Sequence, residues 1–300
     1  MKGYFSYLLV SMLQLGLMAQ ATDLLGGHCG KLGFGAVLAA GVAGYAYAIS
    51  TVVFAAPILW ALLVALVAAS LLGIVLSHTI VALHPDAYLL ASFAFQMAFI
   101  EMMNNVDWSG GPLGLRQIPS SVFGGLAVEA TTSSFLFLII SATVGLLVLV
   151  SGARRESGVA RAHHWIRDDI LSALASPLDT RSIMARACLV HCILGGAAGV
   201  GVVIAQGYVA PRTFDLGLSL KVLTVVVLSG VGGSPFLMLL GSAILVLVTE
   251  LASFAFTAPE AVGPLQQVLV SSVLIGFLVF RRRGIGGPVL ESGPSSELFE

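Results

Sequence analysis

A 300-residue chain with 58% hydrophobic residues, 10% charged residues and a mean hydropathy of +1.00 cannot be a water-soluble globule, because a soluble domain carries about 45–50% apolar and about 25% charged residues. A net charge of −1 excludes the broad basic surface that nucleic-acid binding needs. The three cysteines, Cys29, Cys188 and Cys192, are too few and too apolar in setting for a disulfide framework.

A lipid bilayer is the solvent that fits. Every backbone polar group inside it must be paired within the chain, which leaves helices or closed barrels. A barrel alternates apolar and polar residues with period two, whereas the apolar runs here are continuous. The expected fold is therefore all-α, a polytopic transmembrane helical bundle.

With about 20 apolar residues per crossing, the candidate spans in chain order are 4–20, 32–50, 56–76, 88–103, 126–150, 183–206, 216–228, 236–256 and 264–280. The first begins after Lys2 and has the outline of a signal peptide. No small-x-small cleavage site closes it and the next segment is itself apolar, so it reads as a retained span. The seventh is short and runs into Ser229, Gly230, Val231, Gly232, Gly233, Ser234 and Pro235. That end reads as a broken or re-entrant element, so the expected total is about eight to nine spans. Residues 1–283 form one membrane domain, and the Gly-, Ser-, Pro- and Glu-rich stretch 284–300 reads as a disordered cytoplasmic tail.

Orientation follows from Lys and Arg, which short cytoplasmic loops retain. Arg154, Arg155, Arg161, Arg167 and Arg181 crowd the polar stretch 151–181, and Arg281, Arg282 and Arg283 open the tail. Both are expected in the cytoplasm. Loops 104–121 and 206–215 then fall outside, 22–31 and 77–86 inside, and the N-terminus outside.

Within 151–181, Ile166, Ile170 and Leu174 recur at i, i+4 and i+8, with Arg167 and Asp168 on another face and Pro177 ending the run. This is a short amphipathic helix. It suits the membrane interface or a groove on a cytoplasmic partner.

Gly26, Gly27, Gly30, Gly33 and Gly35 are too dense for ordinary helix, where each glycine costs about 1 kcal/mol against alanine. Irregular backbone at membrane depth persists only when buried in protein or lining a cavity, and transporters place such breaks at their substrate sites. Gly26, Gly30, Gly33 and Gly35 are thus candidate path residues. Gly41, Gly44, Gly195 and Gly199 fit close helix packing instead. Gln96, Glu101 and Asn104, in or beside the fourth span, are candidate cavity residues, because polar groups at such depth are costly. Lys221 is one turn inside its span and can snorkel outward.

His78, His84, His163 and His164 have no carboxylate or cysteine at ligand spacing. No G-x-x-x-x-G-K-[ST] phosphate loop occurs. No metal, cofactor or catalytic residue is expected.

Several of these segments together resemble a known family. Gly30-Lys31-Leu32-Gly33-Phe34-Gly35, continuing through Gly41 to Tyr45, is similar to the signature of permease subunits in branched-chain amino acid ABC importers. Ser109-Gly110-Gly111-Pro112-Leu113-Gly114-Leu115-Arg116-Gln117-Ile118-Pro119 resembles the "TGGPNGLSGIP" of the LivM-like branch. Residues 166–179, 208–214 and 230–241 resemble, in order, that branch's coupling helix, an extracytoplasmic turn and a glycine-rich turn. Ile170 and Leu174 depart from acidic family positions, Pro177 from a glycine and Lys221 from a glutamate. The family also usually carries a further span before the segment matching 4–20. The chain thus resembles a divergent member.

The resemblance implies a LivH-like second permease subunit, two cytoplasmic ATP-binding subunits and a periplasmic solute-binding protein at the bacterial inner membrane. The cargo would be a branched-chain or related amino acid, or a urea- or amide-like solute. The chain itself would be no enzyme, because the partners hydrolyse ATP. Trp165, Ile166, Arg167, Asp168, Ile170 and Leu174 would form the coupling helix, with Trp165 as its interfacial anchor and Arg167 and Asp168 meeting the ATPase. The alternative class is an ion-coupled secondary transporter, which would need paired charges at mid-membrane, and the sequence supplies few.

Overall fold

The computed structural model describes residues 2–118, 162, 165–167, 173, 179–255 and 259–280. Its long helices are α1 (Lys2–Cys29), α2 (Gly35–Val52), α3 (Ile58–Ala82), α4 (Pro85–Asn105), α5 (Thr180–Gln206), α6 (Leu216–Ser229), α7 (Pro235–Ala255) and α8 (Pro259–Phe280). Two short strands, β1 (Leu115–Arg116) and β2 (Tyr208–Val209), pair antiparallel with Leu115 opposite Val209 and Arg116 opposite Tyr208. α4 and α5 both run from the α3–α4 turn into this ladder, which marks one end of the bundle. The α1–α2 break, the α3–α4 turn and the α6–α7 turn mark the other.

Local chemistry sets several of these boundaries. Asp179 caps α5 by accepting from the Ser182 N–H at 3.1 Å, and Asp215 caps α6 by accepting from the Leu218 N–H at 3.0 Å. Pro85 opens α4, where its missing N–H costs nothing. Gly207, at φ +67°, closes α5 and turns the chain into β2.

α5 lies at the centre, against α1, α2 and α3. The α5–α2 seam is set by small residues. A Cβ on Gly195 would stand 2.5 Å from the Ala36 carbonyl oxygen, and one on Gly199 would overlap the Ala40 carbonyl. α3 buries Ala61, Ala65, Ala69 and Gly73 at every fourth position, and Gly73 lies on the α5 backbone at Leu189. Lipid tails are as apolar as leucine, so helices associate in a bilayer by such close backbone approach. The other side of α3 is turned outward, with Leu59, Trp60 and Leu71 71%, 64% and 58% exposed.

Among the described residues four helical segments are long and apolar enough to cross a membrane: Tyr7–Gly27, Gly35–Val52, Ile58–Ala82 and Thr180–Gln206. Pro235–Leu251 and Leu265–Gly276 are shorter apolar helices. With its outward apolar surface, the chain is a multi-pass helical membrane protein. The candidate span 126–150 and the tail lie outside the described residues.

The first helix is longer than its sequence suggests. Irregular backbone was expected over 26–35, yet α1 continues to Cys29 and the break is confined to 30–34. The polar residues that point to a loop are satisfied without one. Thr22 Oγ donates to the Met18 carbonyl at 2.9 Å, and Asp23 Oδ1 accepts from the Gly232 N–H at 2.7 Å.

Candidate translocation and coupling site

The break is built by packing. Gly30 adopts φ +71°, a left-handed conformation that glycine enters freely, and the Lys31 N–H turns back to the Leu25 carbonyl at 3.1 Å. The Lys31 side chain is 1% exposed. Its ammonium donates to the Ile80 carbonyl and, at 2.7 Å, to the Leu83 carbonyl. A cation is thereby held at the negative C-terminal end of α3. Burial lowers the Lys31 pKa from the ordinary lysine value, and nearby Cys29 opposes that shift. Gly33 admits α4, because a Cβ there would stand 2.7 Å from the Tyr88 ring, and the Phe34 N–H donates to Ser92 Oγ at 3.0 Å. Gly35 faces the His191 ring, and the space beside Gly26 is filled by Leu32.

A second set of contacts joins this region to the segment around 165–167, whose described residues are helical. Ile166 is 2% exposed and packs with Leu25, Cys29 and Tyr88, whereas Trp165 is 44% exposed. The Arg167 guanidinium donates to the Gly27 carbonyl at 2.7 Å. Gly232, in the α6–α7 turn, packs on both sides of this bond. A Cβ on it would stand 2.7 Å from Arg167 Nη1 and 3.3 Å from the Gly27 carbonyl. The end of α1, the 165–167 segment (the arm) and the α6–α7 turn therefore meet at Asp23, Gly27, Arg167 and Gly232.

At the ladder end the bundle holds a polar cleft of about 570 Å³, lined from α1, α5, α6, α7, α8 and the turn before α6. Gln14, Lys221, Glu250 and Gln267 are among its walls. Glu250 accepts from the Tyr4 hydroxyl at 2.8 Å, and Gln266 Nε2 donates to the Thr249 carbonyl at 3.2 Å. Among the described residues nothing makes an ion pair or hydrogen bond with the half-buried Lys221 ammonium.

The structure brings Gly26, Gly30, Gly33 and Gly35 together with Ile166 and Arg167 at the break end. Gln96, Glu101 and Asn104 line neither that end nor the cleft. Gln96 is fully buried as a clamp. Its Nε2 donates to the Phe214 and Asp215 carbonyls at 2.9 and 3.2 Å and to Ser219 Oγ at 2.7 Å. Glu101 is exposed and Asn104 half-buried near the end of α4. Asp168, Ile170 and Leu174 lie outside the described residues. Sequence reading passed over Asp23, which sits in what looks like a loop, and the cleft glutamines, Gln14 alone and Gln266 and Gln267 as a pair within apolar runs. The signal was that a glutamine or lysine in such a run needs a polar surround.

Small-residue helix seams, a broken helix at one end and a polar cleft at the other are the build of a membrane transport subunit. The chain belongs to the family described as "Branched-chain amino acid transport system / permease component", which it matches over residues 4–280. Two relatives are named "High-affinity branched-chain amino acid transport system permease protein LivM", one from Escherichia coli (strain K12) and one from Salmonella typhimurium. Each is 27% identical over 201 residues, which is 60% of this chain and 47% of the relative. The match thus spans about half the length of these relatives.

Proposed function

We propose that this chain is one transmembrane permease subunit of an ABC importer in a bacterial inner membrane. It forms part of the path for a small polar solute, a branched-chain or related amino acid or a urea- or amide-like compound. A LivH-like second permease, two cytoplasmic ATP-binding subunits and a periplasmic solute-binding protein complete the assembly. The ladder end faces the periplasm and the break end the cytoplasm, in keeping with the positive charge of 151–181.

The observation that carries this reading is the Arg167–Gly27 hydrogen bond. A helical arm that moved with an ATPase would pull on the last turn of α1 through it, and on the α6–α7 turn packed beside it. Ile166 seats the arm on the bundle, while Trp165 and Asp168 meet the ATPase. Arg167 faces the bundle and so acts as the link between the two. Rigid segments joined at a few contacts give a two-state element that a partner can bias.

The test is reconstitution of the chain with its three kinds of partner in liposomes. ATP-dependent uptake of labelled L-leucine or a related solute, raised by the binding protein, is the expected result. Uptake that follows an ion gradient and ignores ATP would move the chain to the secondary transporters.

A further inference from the structure

Resting on the importer reading, which makes the polar cleft the mouth of the path, we propose that Lys221 is its specificity-determining residue. The Lys221 ammonium receives the carboxylate of a small solute whose apolar body lies against Leu15, Leu218 and Val246.

Four charged side chains line the cleft: Arg212, Asp215, Lys221 and Glu250. Both carboxylates already have work. Asp215 Oδ1 caps α6 through the Leu218 N–H, and Glu250 Oε2 holds the Tyr4 hydroxyl. Arg212 is exposed at the rim, whereas Lys221 is half-buried, more than a turn inside α6. It makes no ion pair or hydrogen bond among the described residues. Hydrogen bonds from neutral donors leave both carboxylates charged, so the cleft as a whole is not net positive; its anion-binding point is local, the Lys221 ammonium, where partial exclusion of water strengthens attraction for an anion.

The remaining walls fit the rest of such a solute. Gln14 and Gln267 offer neutral amides that can accept from an ammonium or donate to a second oxygen. Leu15, Leu218 and Val246 present apolar surface in the same cleft. A volume of about 570 Å³ lies within the size of small-molecule sites, about 300–1,000 Å³. A purely cationic solute would meet the ammonium unfavourably, and a sugar would leave it unpaired.

The full chain in lipid nanodiscs tests this directly. Cys29, Cys188 and Cys192 are buried, so a thiol placed in the cleft reports by itself. Ser11→Cys and, independently, Gln267→Cys would be labelled with an anionic sulfonatoethyl and a cationic trimethylammonioethyl methanethiosulfonate. The ratio of anionic to cationic labelling rates, taken relative to a free thiol, reads the local charge beside Lys221, since a charged wall concentrates counter-ions. Lys221→Gln should lower that ratio by about fivefold or more by removing one positive charge. L-leucine should slow labelling, and L-leucinamide, which lacks the carboxylate, should not. A ratio unchanged by Lys221→Gln at both positions, or equal protection by the amide, would overturn the proposal. Labelling reads the cleft without the ATPases, so it stands apart from any failure of ATP-driven uptake, which would count against the importer reading alone.

Discussion

Arg167 donates its guanidinium N–H to the carbonyl of Gly27 at 2.7 Å, across 140 residues of sequence. Gly27 lies in the last turns of α1, where carbonyls lose their intrahelical partners. The bond thus stabilises a helix end and fastens the arm to it.

Arg167→Ala should uncouple the assembled importer. A charge-assisted hydrogen bond contributes about 1.5–3 kcal/mol, so uptake per ATP should fall by about tenfold or more. ATP hydrolysis and co-purification of the ATPases should persist. Arg167→Lys should recover part of the loss, since it keeps the charge but not the planar fork. Uptake and hydrolysis falling together would point to lost assembly instead.

Asp23 tests whether the same junction works by shape or by charge. Its Oδ1 accepts from the Gly232 N–H at 2.7 Å, a role asparagine can fill. Asp23→Asn should stay within about threefold of wild-type uptake, whereas Asp23→Leu leaves the Gly232 N–H unsatisfied at a cost of about 1–3 kcal/mol. Gly27→Ala should also impair transport, because its Cβ would stand 2.5 Å from the Gly232 nitrogen. Uptake assays on vesicles matched for permease content decide the order.

Gln96 and Ser219 form a clamp between α4 and α6. Gln96→Leu strips a donor from the Phe214 and Asp215 carbonyls and from Ser219 Oγ, so it should destabilise the fold by about 1–3 kcal/mol. Ser219→Ala should cost less. The double variant should fall short of the sum, as coupled partners do. Thermal unfolding in detergent reads all three.

The α2–α5 seam has a sharp steric test. Gly199→Ala places a methyl into the Ala40 carbonyl, and overpacking of this kind costs about 1–3 kcal/mol. Gly276→Ala in α8 meets nothing within 4 Å and should be neutral or slightly stabilising through helix propensity. An equal drop in melting temperature for both would mean that the seam is not set by this approach.

Much of this protein was legible in the order of its residues. Continuous apolar runs mark the helices, because a bilayer forces the backbone to pair with itself. The eight long helices fall on runs expected to span, and Asp179, Asp215 and Pro85 stand at helix starts where local chemistry wants them. The glycines around position 30 signal a break for the same local reason.

What sequence could not express is which residues meet. Whether α1 stops at Gln20 or Cys29 depended on Asp23 finding the Gly232 N–H, more than 200 positions away. Gln96 and Lys221 look alike on paper, each a polar side chain in an apolar run. Folding gives Gln96 three partners on the α6 side and leaves Lys221 facing an open cleft. Arg167, which reads as a charge for a partner, is turned inward by the burial of Ile166 beside it. Hydropathy and propensity act over a few residues, whereas the satisfaction of buried polar groups is settled between helices, and only the tertiary structure decides it.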